Sequence, residues 1–310
     1  MSTGLPCGMR VLERGWVSSN SIVFTGAGAT AVVDTGYGRH AVQTVELLRA
    51  ALGRQPLERI VNTHAHSDHV GGNAALRRAW PDVRITIPAG EARVVRDWDE
   101  QALHLKAMGQ ECERFAFDHL LAHGDLLTLG DGEWRAVASP GHDMASLMLF
   151  CEAHRILISA DALWENGFGV LFAGLPPDGD LALTIAAQRA TLEAIAALKP
   201  GLVIPGHGAP FADVAGALAR AHGRLDYFAA EPLRHARYAM KVTLAFRLMI
   251  EGRLALADLG RQLDGLSLLR AINQAHFRLA PDAFAAMVAD ELEKSGAARR
   301  EGGWLIAPAR

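Results

Sequence analysis

Apolar residues follow two rhythms along this chain, and the change between them falls near residue 213. Up to that point short apolar runs alternate with amphipathic stretches. SNSIVF, AVVDTG, ERIVNTH and VRITIP have the length and β-branched content of buried strands. The first two, joined by a glycine-rich turn over Gly26, Ala27 and Gly28, predict a hairpin. Between the runs, 40–52 repeats apolar residues at helical spacing, with Val42, Val45, Leu48 and Leu52 on one face. Segments 73–80 and 181–198 read as helices in the same way. LLTLGDGEWRAVA and SLMLFCEAHRILISAD predict strands turned at Gly130–Gly132 and Glu152–His154, and PGLVIPGHG a last strand and loop. This alternation, with its early hairpin, predicts an α/β fold whose sheet is not purely parallel. Residues 91–121 read as a mostly helical insert lying outside the sheet as a cap.

Beyond residue 213 the period is helical, over 213–229, 232–251, 255–263, 265–275 and 282–295. In 232–251, Leu233, Ala236, Met240, Leu244 and Leu248 form one stripe, read as core in preference to an interface. RREGGWLIAP closes the chain as a two-strand ribbon turning at Gly302–Gly303. The expected organisation is an α/β unit over 1–212 and a mostly helical, winged-helix-like unit over 213–310. The tail would cover one edge of the first unit or make a homodimer.

Composition sharpens this picture only modestly. Half of the 310 residues are hydrophobic and 21% are charged, enough for a sizeable core. A net charge of −3 is no footprint of a nucleic-acid binder. The tail from Val214 carries 14 Lys/Arg against 10 Asp/Glu, a mild excess. Cys7, Cys112 and Cys151 have neither metal spacing nor an even count, which argues against a disulfide scaffold. The N-terminal residues show no basic segment followed by an apolar run, and no stretch offers roughly 18 uncharged apolar residues. The expectation is a cytoplasmic protein with no membrane partner. The Gly26-Ala-Gly28 turn leads into a strand and not a helix, so it is no dinucleotide fingerprint.

The chemistry concentrates in THAHSDHVGG at 63–72. His64 and His66 alternate in an extended segment and point the same way. Asp68 and His69 follow in a turn. Neutral imidazoles and carboxylates are donors suited to zinc and similar ions. Two adjacent side chains cannot easily share an ion with the first pair, so the spacing suggests a second ion beside the first. The bland reading is a polar strand-end loop with idle histidines.

His64-Ala-His66-Ser-Asp68-His69 resembles the signature of the metallo-β-lactamase superfamily. Further matches follow in order: Asp34 in AVVDTG, His142 in SPGHDMAS, Asp161 in ISADAL and His207 in IPGHG, so the resemblance covers about residues 10–212. It implies a four-layer αβ/βα sandwich with two divalent ions at one edge, zinc first, with iron or manganese as alternatives. His64, His66 and His142 would hold one ion, Asp68, His69 and His207 the other, and Asp161 would bridge. Two such ions would lower the pKa of a bound water to about 7 and so supply a nucleophile for a carbonyl or phosphoryl group. Asp68 would orient that nucleophile while ligating, and Asp34 would hold the ligand loop. The other eight histidines, at 40, 104, 119, 123, 154, 222, 235 and 276, have no ligand spacing and read as surface or packing. Trp98, Met108, Trp164, Phe168 and Phe172 are candidates for an apolar substrate pocket, or else for core.

The motifs supply reactivity and not selectivity. Cleavage of a small-molecule thioester or ester, lactones included, is the favoured reading. The core and helical tail resemble the hydroxyacylglutathione hydrolases, although no basic cluster for glutathione is evident. A nuclease with a winged-helix tail is the alternative. Against it, the last helix holds Asp282, Asp290, Glu291 and Glu293 with Lys294 alone, the wrong sign for phosphates. Arg234, Arg237, Lys241, Arg299 and Arg300 count in its favour. A β-lactamase and a non-enzymatic regulator complete the alternatives.

Overall fold

The computed structural model describes residues 5–26 and 28–308. Ala27 of the glycine-rich turn, the first four residues of the N-terminal segment and the outermost ends of both expected units lie outside the described residues.

Six strands form the first sheet: β1 (Met9–Leu12), β2 (Ser21–Phe24), β3 (Ala31–Val33), β4 (Arg59–Val61), β5 (Arg84–Pro88) and β6 (His119–Leu121), adjacent in chain order. Pairing is antiparallel from β1 to β3 and parallel from β3 to β6. The second sheet runs β11 (Leu202–Pro205), β10 (Ile156–Ala160), β9 (Leu147–Cys151), β8 (Gly132–Ala138), β7 (Leu126–Leu129). There only β10 and β11 are parallel.

Period-two alternation builds the layers. Ile22, Val33, Trp134, Leu149 and Ile158 face inward and fill the space between the sheets. Val32, Ile60 and Ile85 point outward onto Leu48, Leu52 and Leu76 of helices Ala41–Leu52 and Asn73–Ala79. Met148, Phe150 and Val203 point outward from the second sheet onto Ile185, Leu192 and Leu225. The result is the expected αβ/βα four-layer sandwich.

Several expectations need correction. Strand β1 was not foreseen. Val42 is 74% exposed, and the buried stripe of its helix runs instead through Thr44, Leu48 and Leu52, with Thr44 Oγ1 donating to the Thr35 carbonyl at 3.1 Å. The insert is less helical than its periodicity suggests. Ala92–Asp97 and Leu105–Met108 are its α-helices, and His119–Leu121 completes the sheet edge. Leu103, Leu105 and Phe115 enter the outer layer of the first sheet, while Ala107 and Met108 join the core of the tail. An insert wedged between two cores follows their surfaces and cannot keep one helical period.

Helix Leu181–Leu198 is, by length and composition alone, apolar enough to cross a membrane, although Arg189 and Glu193 interrupt it. Its apolar side has a destination: Ile185, Leu192 and Ile195 pack on the second sheet, and Arg189 on its other side pairs with Asp226 at 2.7 Å.

The tail supplies helices Val214–Ala230, Pro232–Glu251, Leu256–Asp264, Ser267–Ile272, which runs on as a π-helical turn, and Pro281–Lys294. The terminal ribbon, β13 (Arg299–Glu301) and β14 (Trp304–Ile306), gains a third strand, β12 (Arg253–Ala255), on the free side of β14. Helix, strand, helices and hairpin follow the winged-helix order. Ala217, Ala221, Leu225 and Phe228 of the first tail helix belong to the core of the second sheet. From Ala236 onward the tail has its own core, as the Ala236, Met240, Leu244, Leu248 stripe predicts.

His235 is 1% exposed with both ring nitrogens unpartnered, and burial lowers its pKa to about 4. The unfolded chain takes up this proton near pH 6.5, whereas the folded chain resists until about 4. Stability is therefore lost as pH falls through that window, by up to about 3 kcal/mol at its acid end. His235→Phe should flatten this limb. Denaturation midpoints of both proteins from pH 7 to 4 check it, and parallel curves would assign the acid sensitivity elsewhere.

Candidate metal centre

Strand direction gathers the chemistry. The parallel strands β3, β4, β10 and β11 all end at one rim, the place where α/β sheets leave polar loops free. Asp34 follows β3, His64 and His66 follow β4, Asp161 follows β10, and His207 follows β11. His142 arrives in the loop after β8. Asp68 and His69 sit on one helical turn, Ser67–Val70, where the sequence reads as a simple turn.

All seven predicted donors come together in two groups. His64, His66 and His142 form one, and Asp68, His69, Asp161 and His207 the other, with the donor atoms of each group within 4.8 Å of one another. Asp161 lies between the groups. Its Oδ2 is 3.4 Å from His142 Nε2, and its Oδ1 is 3.5 Å from His69 Nε2 and 3.8 Å from His207 Nε2. His66 Nδ1 is 2.9 Å from His142 Nε2, and His207 Nε2 is 3.1 Å from Asp68 Oδ2. The Nε2 atoms of His64 and His69 are buried with no hydrogen-bond partner. Orphaned imidazole nitrogens pointing into a cluster of carboxylates and further imidazoles fit a pair of divalent ions, whose bonds satisfy such atoms.

The ring nitrogens facing away are fixed. Asp34 Oδ2 accepts from His69 Nδ1 at 2.7 Å and from Thr63 Oγ1 at 2.8 Å, while its Oδ1 accepts from the Thr63 amide at 2.9 Å. Asp34 adopts a left-handed φ of +57°, which aims the carboxylate back under the ligand loop. His142 Nδ1 donates to the Val170 carbonyl at 2.7 Å. Trp164 Nε1 donates to Asp161 Oδ1 at 3.2 Å. Gly206 allows a close approach, since a Cβ there would stand 2.2 Å from Asp161 Oδ1.

Electrostatics divide the imidazoles. Burial, and then neighbouring imidazoles, hold His64 and His66 well below their ordinary pKa, so both are neutral. Burial works against His69 too, but Asp161, Asp34 and Asp68 outweigh it and raise its pKa well above ordinary. Burial opposes the charged form of Asp68 and Asp161, yet His69 and His207 hold both below the usual carboxylate range. Cations and protons therefore compete for one set of atoms, and binding a cation releases protons. Behind this loop Glu91 accepts from the Ala65 amide at 3.4 Å, and burial with Asp143 beside it pushes its carboxyl to about 8.

Above the donors lies a cavity of about 430 Å³. Trp16, Met108, Trp164 and Phe172 line one side, and Tyr238, Val242, Phe246 and Met249 of helix Pro232–Glu251 form its roof. Trp16 stacks on His207 with centroids 5.7 Å apart and meets Trp164 edge-on at 5.4 Å. Phe172 stands over His66 and His142 at 5.1 and 5.5 Å and stacks on His104.

Residues 14–207 match the metallo-β-lactamase superfamily. The chain belongs to that superfamily. Among curated relatives, a hydroxyacylglutathione hydrolase of Xanthomonas axonopodis pv. citri is 30% identical over 152 residues, 48% of each chain. One of Xanthomonas euvesicatoria pv. vesicatoria is 30% identical over 118 residues, 38% of this chain and 37% of its own. The chain thus spans about half or less of the relatives it matches. Among solved structures, a β-lactamase domain protein of Burkholderia ambifaria covers 99% of this chain, and 95% of its own is covered, at TM-score 0.61 and 22% identity. A subclass B3 metallo-β-lactamase of Bradyrhizobium japonicum covers 75%, with 93% of its own, at TM-score 0.56 and 18% identity. At such identities the likeness concerns the fold.

In this superfamily member the predicted pocket divides. Trp164 and Phe172 line the cavity, as does Met108. Trp98 does not: it ends helix Ala92–Asp97 and packs edge-on against Phe115 at 5.8 Å in the outer layer of the first sheet. Phe168 is fully buried beside Phe228, and only its backbone carbonyl reaches toward the site, accepting from Tyr238 Oη at 3.3 Å. Asn166, Gly169 and Val170 of the same loop line the cavity, while the Phe168 ring is spent on the core of the second sheet. Trp16, Tyr238 and Arg224 line the cavity without having been singled out in the sequence. The one available signal was the second apolar face of 232–251, opposite the core stripe.

Proposed function

We propose that the protein is a dinuclear-metal hydrolase of small acyl thioesters or esters, lactones included. The observation that carries this reading is the pair of donor groups joined by Asp161 beneath an apolar-walled cavity of small-molecule size. His64, His66 and His142 would hold one ion, Asp68, His69 and His207 the other, with Asp161 shared. Zinc suits this mixed imidazole–carboxylate set, as do iron and manganese. Bound there, such ions supply Lewis acidity and lower the pKa of water to about 7. Asp68, at the cavity floor, orients the attacking water and accepts its proton. Trp164 fixes the Asp161 carboxylate through its indole N–H. The aromatic walls exclude bulk water and select apolar acyl groups. The hydroxyacylglutathione hydrolases among the relatives support a thioester.

The nuclease alternative finds less support. Arg300 pairs with Asp290 and Glu293 at 2.5 and 2.9 Å, and Arg237 pairs with Glu291. Those cations are engaged by the acidic last helix and offer little to phosphates.

Elemental analysis of protein purified without chelator should give about two equivalents of metal per chain. The same protein should cleave members of a thioester, ester and lactone panel, and chelation should abolish this. Saturation at one equivalent would defeat the dinuclear reading. Cleavage of phosphodiesters or RNA alone would defeat the acyl one.

A further inference from the structure

Arg224 is the only lysine or arginine lining the catalytic cavity among the described residues. Its neighbours along the tail pair with acids: Arg220 with Asp213, Arg234 with Glu231, Arg237 with Glu291. Arg224 has no such ion pair among the described residues. It is nonetheless firmly placed. Nη2 donates to the Asn166 carbonyl at 2.8 Å, and the guanidinium lies over the Tyr238 ring at 5.3 Å and the Phe168 ring at 5.9 Å. The loop that carries Trp164 bends around it at Gly167, where φ is +127° and a Cβ would stand 2.3 Å from Nη1. That position admits no side chain while the arginine keeps its place.

A guanidinium has five N–H donors in a planar fork, and one carbonyl satisfies one of them. Arg224 is half-buried at the wall of this cavity, and among the described residues no protein carboxylate pairs with its charge there. A ligand carboxylate completes the fork, because two parallel N–H···O bonds match it. We infer that Arg224 is the anion-recognition residue of this cavity, and that the substrate carries a carboxylate besides the carbonyl that is attacked. This rests on the acyl-hydrolase reading. A nucleic-acid strand is the poorer fit, since it needs a cation at each of several phosphates and this cavity offers one.

Two pairs of thioesters test the inference on the metal-loaded full chain. S-glutaryl-N-acetylcysteamine is compared with its methyl ester, which places the charge on the acyl half. S-butyryl-3-mercaptopropionate is compared with its methyl ester, which places it on the leaving half. In at least one pair the acid should exceed its ester in kcat/KM by about ten- to a hundred-fold, the range for hydrogen bonds to a charged group. That ratio should fall to near one in Arg224→Met and Arg224→Gln, two variants that guard against misfolding of either. Arg224→Lys, a point charge, should keep part of it. Binding of N-butyl glutaramate and its methyl ester, amides read by quenching of tryptophan fluorescence, gives the same ratio without turnover. Preference for the acid in binding with no thioester cleaved would uphold Arg224 and sink the acyl-hydrolase reading. Cleavage of both members within two-fold in both pairs would overturn the Arg224 role alone, as would a preference that survives Arg224→Met. Cleavage of an oligoribonucleotide faster than all four thioesters would overturn it as well.

Discussion

Replacing Asp68 by asparagine should lower kcat/KM by about a hundred-fold or more, the typical cost of one well-placed electrostatic group, while the chain still folds. The side chain sits on the helical turn Ser67–Val70, with Oδ2 3.1 Å from His207 Nε2 and 3.9 Å from His69 Nε2. His69 and His207 keep the carboxylate ionised against the effect of its burial. Asparagine has the same shape. It offers no negative charge to an ion, and at one position it presents N–H where an acceptor stood. A proton from the attacking water then has no carboxylate to go to. The backbone is untouched, since the Asp68 carbonyl still accepts from the Ser19 amide at 2.9 Å. Metal content and unfolding midpoint should be measured beside the rate. A fully metallated variant within three-fold of the parent would show that Asp68 neither ligates nor positions the nucleophile.

Asp34→Asn should lower metal affinity by about ten- to a hundred-fold, as expected for loss of the partner that orients a ligating histidine. The reasoning is tautomeric. Asp34 only accepts, so the proton that His69 keeps when a cation displaces the other stays on Nδ1, and a bare Nε2 faces the cluster. An asparagine can still accept from the Thr63 amide through its carbonyl, but its NH₂ then faces His69. His69 answers by moving its proton to Nε2, the atom that points at the ions. Asparagine tolerates the left-handed backbone of this position, so the fold survives. Competition with a chromogenic chelator measures the affinity, and activity should recover in excess metal. Unchanged affinity would reduce Asp34 to a support for the loop.

The donor set was legible because it is local. Four of the seven donors fall between His64 and His69, and the other three close strand-end motifs whose order along the chain carries the resemblance. The sheets were legible where apolar runs are unbroken, as in VRITIP. The cavity walls were legible only at Met108, Trp164 and Phe172, because the rest is made by segments distant in sequence. Helix 232–251 shows why. Its more evident stripe runs from Leu233 through Ala236, Met240, Leu244 and Leu248, and all but Leu233 form the tail core. Tyr238, Val242, Ala245 and Met249 stand apart from that stripe and look like ordinary amphipathic filler until the helix is laid over the metal rim. Trp16 was missed and Trp98 chosen for a related reason. An aromatic in a loop gives no periodic signal, and an insertion looks more pocket-like than it is when its apolar residues serve two cores.

The roof formed by Pro232–Glu251 separates two kinds of inheritance. Every donor precedes residue 208, and the roof begins at Tyr238. A substitution at Val242, Ala245 or Met249 reshapes what enters without moving a ligand atom. Reactivity can thus stay fixed by descent while preference drifts. Relatives that keep the seven donors and exchange the tail would share one reaction and differ in the molecules they consume.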